Sequence, residues 1–273
     1  MSAQSYPLAR SGRQVERISV AKASKASRIR SLLRHAPDSL VIAKLSCCSS
    51  ASPCHSEACP VCTRRFRMEI LRSARDLSFG SHEWVRVSVI PQNMRFAAGE
   101  LSNLRLIATL KAIRRRTQRA GLGNRLLIGG LDLSWNTVEN SDGHWQAHYY
   151  ALISGIADAN LANSVKLIFK PCSEVLRPIH TQRVQQPLPG ACLTYLYKAE
   201  FYARSSYPET RLRVDGTPRQ NVRPNRLPAD RRTELIEWLG TNEIGSRLLL
   251  HGLRRNRSWS GQLSLWPSPS SVA

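Results

Sequence analysis

The chain has 273 residues, 42% of them hydrophobic, enough for one sizeable core with appendages or for two small ones; a single core is the simpler arrangement. It carries 40 Lys and Arg against 19 Asp and Glu, a net charge of +21 with a pI near 10.7, and such a surplus points to nucleic acid, because neutralising phosphates releases counterions. An acidic protein or an anionic membrane surface is the blander partner, and no apolar run approaches the ~18–20 residues that cross a bilayer, so a soluble, cytoplasmic bacterial protein is expected.

Residues 1–40 read as a flexible basic arm. Their Lys and Arg are met by few acids, Glu16 among them, and Ser and Ala dilute any apolar core, so a secretory signal is not indicated. An Arg-rich, acid-poor start is also the composition of a mitochondrial transit peptide, while a mobile arm touching phosphates suits the charge better.

Residues 41–78 form a Cys-rich segment. Cys47, Cys48, Cys54, Cys59 and Cys62 crowd together with His55, ending in Cys59-Pro60-Val61-Cys62. Two thiolates separated by two residues can turn onto one ion, and Cys48 or Cys47 with Cys54 completes a tetrahedral set, so a structural Zn²⁺ on Cys48, Cys54, Cys59 and Cys62 is expected. Disulfides are the alternative, but seven cysteines is an odd number for a fully paired framework. A helix is predicted over 63–77 with Phe66, Ile70, Leu71 and Ala74 on its apolar face; Arg64, Arg65 and Arg67 on the rest suit phosphate contact or ordinary solvation.

Trp84–Ile90 alternates like a strand and stops at Pro91. Leu101–Ala120 has apolar residues at helical spacing, with Arg114, Arg115 and Arg116 as a further candidate DNA contact or solubilising surface. Gly130–Ile153 then reads as a hairpin through Asn140–Gly143. On its second strand His144, Gln146, His148 and Tyr150 share one face, and Asp132 on the first strand reaches the same face if the register allows. A carboxylate with an imidazole and water suits Mn²⁺ or Mg²⁺ better than a closed zinc site. Val165–Phe169 is a further strand, and residues 172–190 a loop. Ala191–Ala203 is a helix that sets Tyr195 and Lys198 one turn apart, a spacing that puts an ammonium beside a phenol. Residues 206–273 are expected to be a basic loop and a helical appendage, with helices over DRRTELIEWLG and EIGSRLLLHGLRR and a disordered tail.

The hairpin resembles the second motif of the rolling-circle replication initiators (Rep proteins) of small plasmids and phages, members of the HUH endonuclease superfamily. That motif reads roughly W-H-P-H-x-H and is matched here by Trp145-Gln146-Ala147-His148-Tyr149-Tyr150 followed by Ala151-Leu152-Ile153. His148 falls on the first metal-binding His, and Tyr150 stands where the second should be. Tyr195-x-x-Lys198 resembles the third motif, and Ala58-Cys59-Pro60-Val61-Cys62-Thr63-Arg64-Arg65 the Cys-x-x-Cys that often precedes the nuclease core.

The resemblance implies an α+β nuclease domain over 79–205, an antiparallel sheet with helices on one face. It implies Tyr195 as nucleophile with Lys198 steadying charge, His148 and Asp132 with Gln146 or water around Mn²⁺ or Mg²⁺, and Tyr197 or Tyr202 as fallback nucleophiles. Origin DNA, single-stranded or supercoiled, is the implied partner, with host replication machinery beyond it and no membrane. Two other readings stay open: a Rep-like DNA-binding protein that has lost catalysis, and a zinc-ribbon nucleic-acid-binding regulatory factor in which the Tyr helix is core.

Overall fold

The structure is a computed structural model, and it describes residues 15–78, 83–123, 125–138, 142–155, 163–164, 166, 169–170, 175, 178–184, 190–212, 218–257 and 263–267. Its centre is the predicted hairpin: β3 (Leu127–Val138) and β4 (His144–Ser154) pair antiparallel with Asp132 opposite His148. Outside β4 lie β1 (Trp84–Val89) and the short β2 (Arg95–Phe96), and β5 (Ile179–Arg183) extends the sheet beyond β1.

The other flank differs from the expectation. β6 (Tyr202–Leu212) runs parallel to β3 and pairs with β7 (Pro218–Asn225), while β8 (Leu248–His251) pairs antiparallel with the start of β3. The protein is therefore mixed α+β, and among the described residues its main sheet is a mixed one of eight strands, not a purely antiparallel one.

Helices cover both faces of this sheet, where one face was expected. Alternation sends Ile128, Tyr150 and Leu152 to one side, where they pack with Phe66, Ile70 and Leu71 of α3 (Pro60–Ser78) and Leu193 and Leu196 of α5 (Gly190–Leu196). Leu131, Leu133, Ala147, Tyr149 and Ala151 face the other side. There they meet Leu106, Leu110 and Ile113 of α4 (Leu106–Thr117) and Leu235, Ile236, Trp238 and Leu239 of α6 (Ala229–Gly240). Burying each such large side chain contributes about 1.5–3 kcal/mol, which holds α4 and α6 to the sheet although neither has a side-chain cap hydrogen bond at its N-terminus.

Part of the expected flexible arm is helical. α1 (Ile18–His35) buries Ala21 and Leu32 and packs against α3 and α6; residues 1–14 lie outside the described residues. α2 (Leu40–Ser46) follows and buries Val41 and Leu45. The predicted helix over Leu101–Ala120 is divided: a 3-10 turn, Leu101–Asn103, precedes α4 because the Leu101 amide donates to Glu234 and Trp238 donates to the Leu104 carbonyl.

The helix predicted over Ala191–Ala203 ends at Leu196. The carbonyls of Lys198 and Ala199 accept from Arg247 and Arg28 instead of from helical amides. The basic loop expected after Arg204 is the β6–β7 pair, and the second C-terminal helix is absent: Gly245 (φ 85°) and Gly252 (φ 66°) turn the chain so that Leu248–His251 joins the sheet and leads into β9 (Leu253–Arg257), which pairs with β10 (Leu263–Pro267). Those residues belong to the body of the protein rather than to an appendage. Of the predicted strand Val165–Phe169 only Lys166 and Phe169 are described, and Lys166 is helical rather than extended; much of 172–190 and the tail beyond Pro267 lie outside the described residues.

Candidate functional site

Two sites emerge, and a buried network joins them. In the first, Cys48 follows α2, Cys54 lies in the connecting loop, and Cys59 and Cys62 flank the first turn of α3, where Pro60 starts the helix. The four Sγ atoms all lie within 4.8 Å of one another, with Cys48–Cys62 at 3.6 Å, Cys54–Cys62 at 3.7 Å and Cys59–Cys48 at 3.5 Å. Four sulfurs about 2.3 Å from a tetrahedral Zn²⁺ stand about 3.8 Å apart, so the spacing fits such an ion.

The protonation balance agrees with the geometry. Hydrogen bonds from Cys59 and Cys62 hold the Cys54 thiol down to about 2, while the bond to Cys54 pushes Cys59 up to about 12 and drives Cys62 upward as well. The Cys54 amide also donates to Cys48 Sγ at 3.4 Å. The four predicted cysteines can hold a metal ion such as zinc, and Cys47, exposed, stands outside the set.

The second site lies on the sheet face that carries α5. Asp132 and His148 are directly opposed in register and both buried. Lys198, just beyond α5, places Nζ 2.5 Å from Asp132 Oδ2 and sits over the rings of Tyr195 at 4.2 Å and Tyr150 at 4.6 Å. The Tyr150 ring meets Tyr195 edge-on at 4.8 Å and stacks beside His148 at 6.5 Å. His148 Nε2 shares a 2.8 Å hydrogen bond with Ser134 Oγ. Predicted residues from a hairpin and from a segment about 50 positions later therefore meet in one cluster.

Glycine makes this meeting possible. A Cβ at Gly130 would lie 2.0 Å from the Leu196 carbonyl oxygen, so only a bare backbone lets the end of α5 settle on β3.

Charge in the cluster is strongly biased. Burial opposes ionisation of Asp132, but Lys198, His148 and Arg204 outweigh it and hold the carboxyl below its ordinary value. Burial also works against the Lys198 ammonium, and Asp132 prevails, raising it. His148 is pushed down to about 3 by burial and by Arg204, so its imidazole is neutral at physiological pH. Tyr195 is pushed up to about 12, chiefly by burial, with Lys198 pulling the other way.

Other predicted residues stand elsewhere. Gln146 lies on the correct face but is engaged: its amide nitrogen donates to the carbonyls of Pro91, Met94 and Ala147, and its oxygen accepts from Arg95 at 3.2 Å. It is not a free ligand, which corrects the expectation. Asp132 Oδ1, in contrast, is a buried acceptor with no hydrogen-bond partner among the described residues. Tyr197 is wholly buried and bonded to Glu57, which removes it as a fallback nucleophile. Tyr202 is 44% exposed and donates to Glu200 at 2.7 Å.

The arginines divide between the two faces. Arg64 donates to the Glu16 carbonyl, Arg67 pairs with the Glu16 carboxylate, and Arg65 is exposed beside Glu69. Arg115 and Arg116 are exposed on α4, across the sheet from Tyr195, with Arg116 over the Phe169 ring, and Arg114 is half-buried beside them.

Two residues of the site, Ser134 and Arg204, were not anticipated, and Tyr202 was expected only as a fallback nucleophile. Ser134 alternates in phase with Asp132 and could have been read from that period. Tyr202 and Arg204 arrive on the same face only through the parallel β3–β6 pairing, opposite Ser134 and Asn136, which local sequence does not encode.

No protein-family model, curated protein or solved structure matches the chain. Among the described residues, no helix is long and apolar enough to cross a membrane.

Proposed function

We propose that the protein nicks and transfers a DNA strand through Tyr195, in the manner of a rolling-circle replication initiator with an HUH-like nuclease domain. The observation that carries this reading is the convergence of Tyr195 and Lys198 with Asp132 and His148 on one sheet face of a chain with net charge +21. The Tyr195 oxygen attacks a backbone phosphorus, the bond from phosphorus to the 3′ oxygen breaks, and the phenolic proton ends on that oxygen. The products are a 5′-phosphotyrosine link and a free 3′-OH. Lys198, 4.2 Å from the phenol ring, opposes the negative charge that the attack gathers.

Asp132, through its unpartnered Oδ1, and the neutral imidazole of His148 fit a hard divalent ion, Mn²⁺ or Mg²⁺, with water and phosphate oxygens completing its shell. Such an ion, when bound, polarises a phosphate oxygen. Exposed Arg65 on α3 and exposed Arg223 on β7 add positive charge that suits the DNA backbone.

A second reading, DNA binding without cleavage, is favoured by two features: Tyr150 stands where the resemblance expects a ligand, and Lys198 already neutralises one Asp132 oxygen. The test is to incubate the protein with Mn²⁺ or Mg²⁺ and single-stranded or supercoiled origin DNA and look for a covalent protein–DNA adduct. Tyr195→Phe should abolish it. An adduct that persists in that variant refutes the nucleophile, and binding without any adduct selects the second reading.

A further inference from the structure

The cysteine centre and the tyrosine cluster are wired together by side chains that the proposed reaction does not use. Glu57, 1% exposed, lies in the loop between Cys54 and Cys59. One carboxylate oxygen accepts from the Arg247 guanidinium at 3.2 Å; the other accepts from the Tyr197 hydroxyl and, at 3.1 Å, from the Gly245 amide. Arg247 is equally buried and spends its remaining donors on two carbonyls, Leu131 of β3 and Lys198, both at 3.0 Å. From α1, Arg28 donates at 2.9 Å to the Ala58 carbonyl beside Cys59 and at 2.9 Å to the Ala199 carbonyl.

The consequence lies in which backbone these bonds hold. α5 ends at Leu196, so no helical amide secures the carbonyls of Lys198 and Ala199; the two arginines do, and both are anchored to the Cys54–Cys59 loop. A buried ion pair is poor evidence for stability, because desolvation offsets the attraction. Its geometric effect here is definite, since a planar guanidinium with several fixed donors locks the spacing between the loop, β3 and Lys198.

We propose that the cysteine-bound metal controls the tyrosine cluster: by fixing Glu57 and Ala58 it fixes Arg247 and Arg28, and through them the position of Lys198 over Tyr195 and against Asp132. Glu57, Arg247 and Arg28 are positioning residues, and loss of the metal withdraws Lys198 from the cluster while leaving the sheet intact. The coupling stands on the contacts above; only its effect on cleavage rests on the reading of Tyr195 as nucleophile.

The experiment is hydrogen exchange by mass spectrometry on the full chain, zinc-loaded and after zinc removal with a chelator. Arg28→Met and Glu57→Gln are run zinc-loaded beside it, with metal content measured throughout. On zinc removal, amides of residues 194–200 should exchange at least about tenfold faster while those of β3 and β4 keep their protection. Arg28→Met, which keeps the aliphatic stem and all four cysteines, should retain zinc and show the same local loosening in smaller degree. The adduct rate at saturating oligonucleotide should fall in step while oligonucleotide affinity holds. Unchanged protection of 194–200 without zinc overturns the proposal, as does parallel loss across β3 and β4, which would make the metal a general staple. Local loosening in a wild-type protein that forms no adduct supports the coupling and refutes only the nuclease reading.

Discussion

Replacing Lys198 by Met is the most direct way to ask what holds the tyrosine cluster together. Methionine keeps most of the stem and removes the ammonium that lies 2.5 Å from Asp132, in a pair whose side chains are 17% and 7% exposed. Breaking a buried pair by removing one partner costs about 3–5 kcal/mol, because the remaining charge is uncompensated. Arg204 still acts on Asp132, which places the expected loss near the lower figure. For a chain of this size that corresponds to a fall of about 6–12 °C in Tm. Asp132→Asn made in the Lys198→Met background removes the orphaned charge, so the double variant should recover at least about 1 kcal/mol of coupling in urea unfolding.

The pH dependence has a defined sign. The Asp132 carboxyl is held below its ordinary value, so its contribution is present above pH ~3.9 and is lost as pH falls through the lower folded value. The Lys198 ammonium is held above its ordinary value, so its contribution is complete below pH ~10.4 and fades only at higher pH. Lys198→Met should flatten both limbs of the stability profile. Additive single and double variants, with both limbs unchanged, would mean that the pair is screened and that Lys198 does not organise the site.

Gly130→Ala should cost about 1–3 kcal/mol in urea unfolding, because its Cβ would press on the Leu196 carbonyl, whereas Gly123→Ala, with nothing within 4 Å of the added carbon, should be near neutral. Equal effects would discount the close approach of α5 to β3. Cys54→Ser should lower bound zinc well below one ion per chain by metal analysis, and Cys47→Ser should leave it unchanged; loss in the second variant alone would reassign the ligands. Tyr150→His should raise Mn²⁺ affinity at least about tenfold by calorimetry, since it adds an imidazole beside His148 and Asp132 in place of a phenol. No gain would place any divalent ion away from this strand.

Strand alternation in 131–135 and 145–153 made the hairpin legible, and the apolar spacing of Leu235, Ile236, Trp238 and Leu239 made α6 so. The flanks were not legible, for physical reasons. Leu248-Leu249-Leu250 is a short apolar run that suits a helix or a buried strand equally, and the decision falls to left-handed glycines at 245 and 252. Tyr202–Leu212 pairs with β3 in parallel across a long connection, a choice made by the remote partner rather than by the segment. α1 lacks acidic residues in its first turn and reads as a solvated arm; what fixes it is Arg28, which reaches two carbonyls in other segments.

The site shows the same division between what spacing encodes and what packing decides. Cys48, Cys54, Cys59 and Cys62 could be named because thiolates must surround one ion, and His148 and Asp132 because opposed strand residues share a face. Gln146 met the same facial criterion and still fell away, because face does not reveal that Arg95 and three carbonyls already use its amide. Tyr150 runs the other way. As a ligand it is a defect, yet in the fold its ring bears the Lys198 ammonium, lies edge-on to Tyr195 and is stacked beside His148. A histidine there would offer a metal ligand and a poorer surface for an ammonium. On the proposed reading of a divalent ion at this face, the residue at 150 sets the balance between that ion and Lys198 as the cation serving Asp132, so Mn²⁺ affinity should rise and Lys198 should loosen together when Tyr150 becomes His.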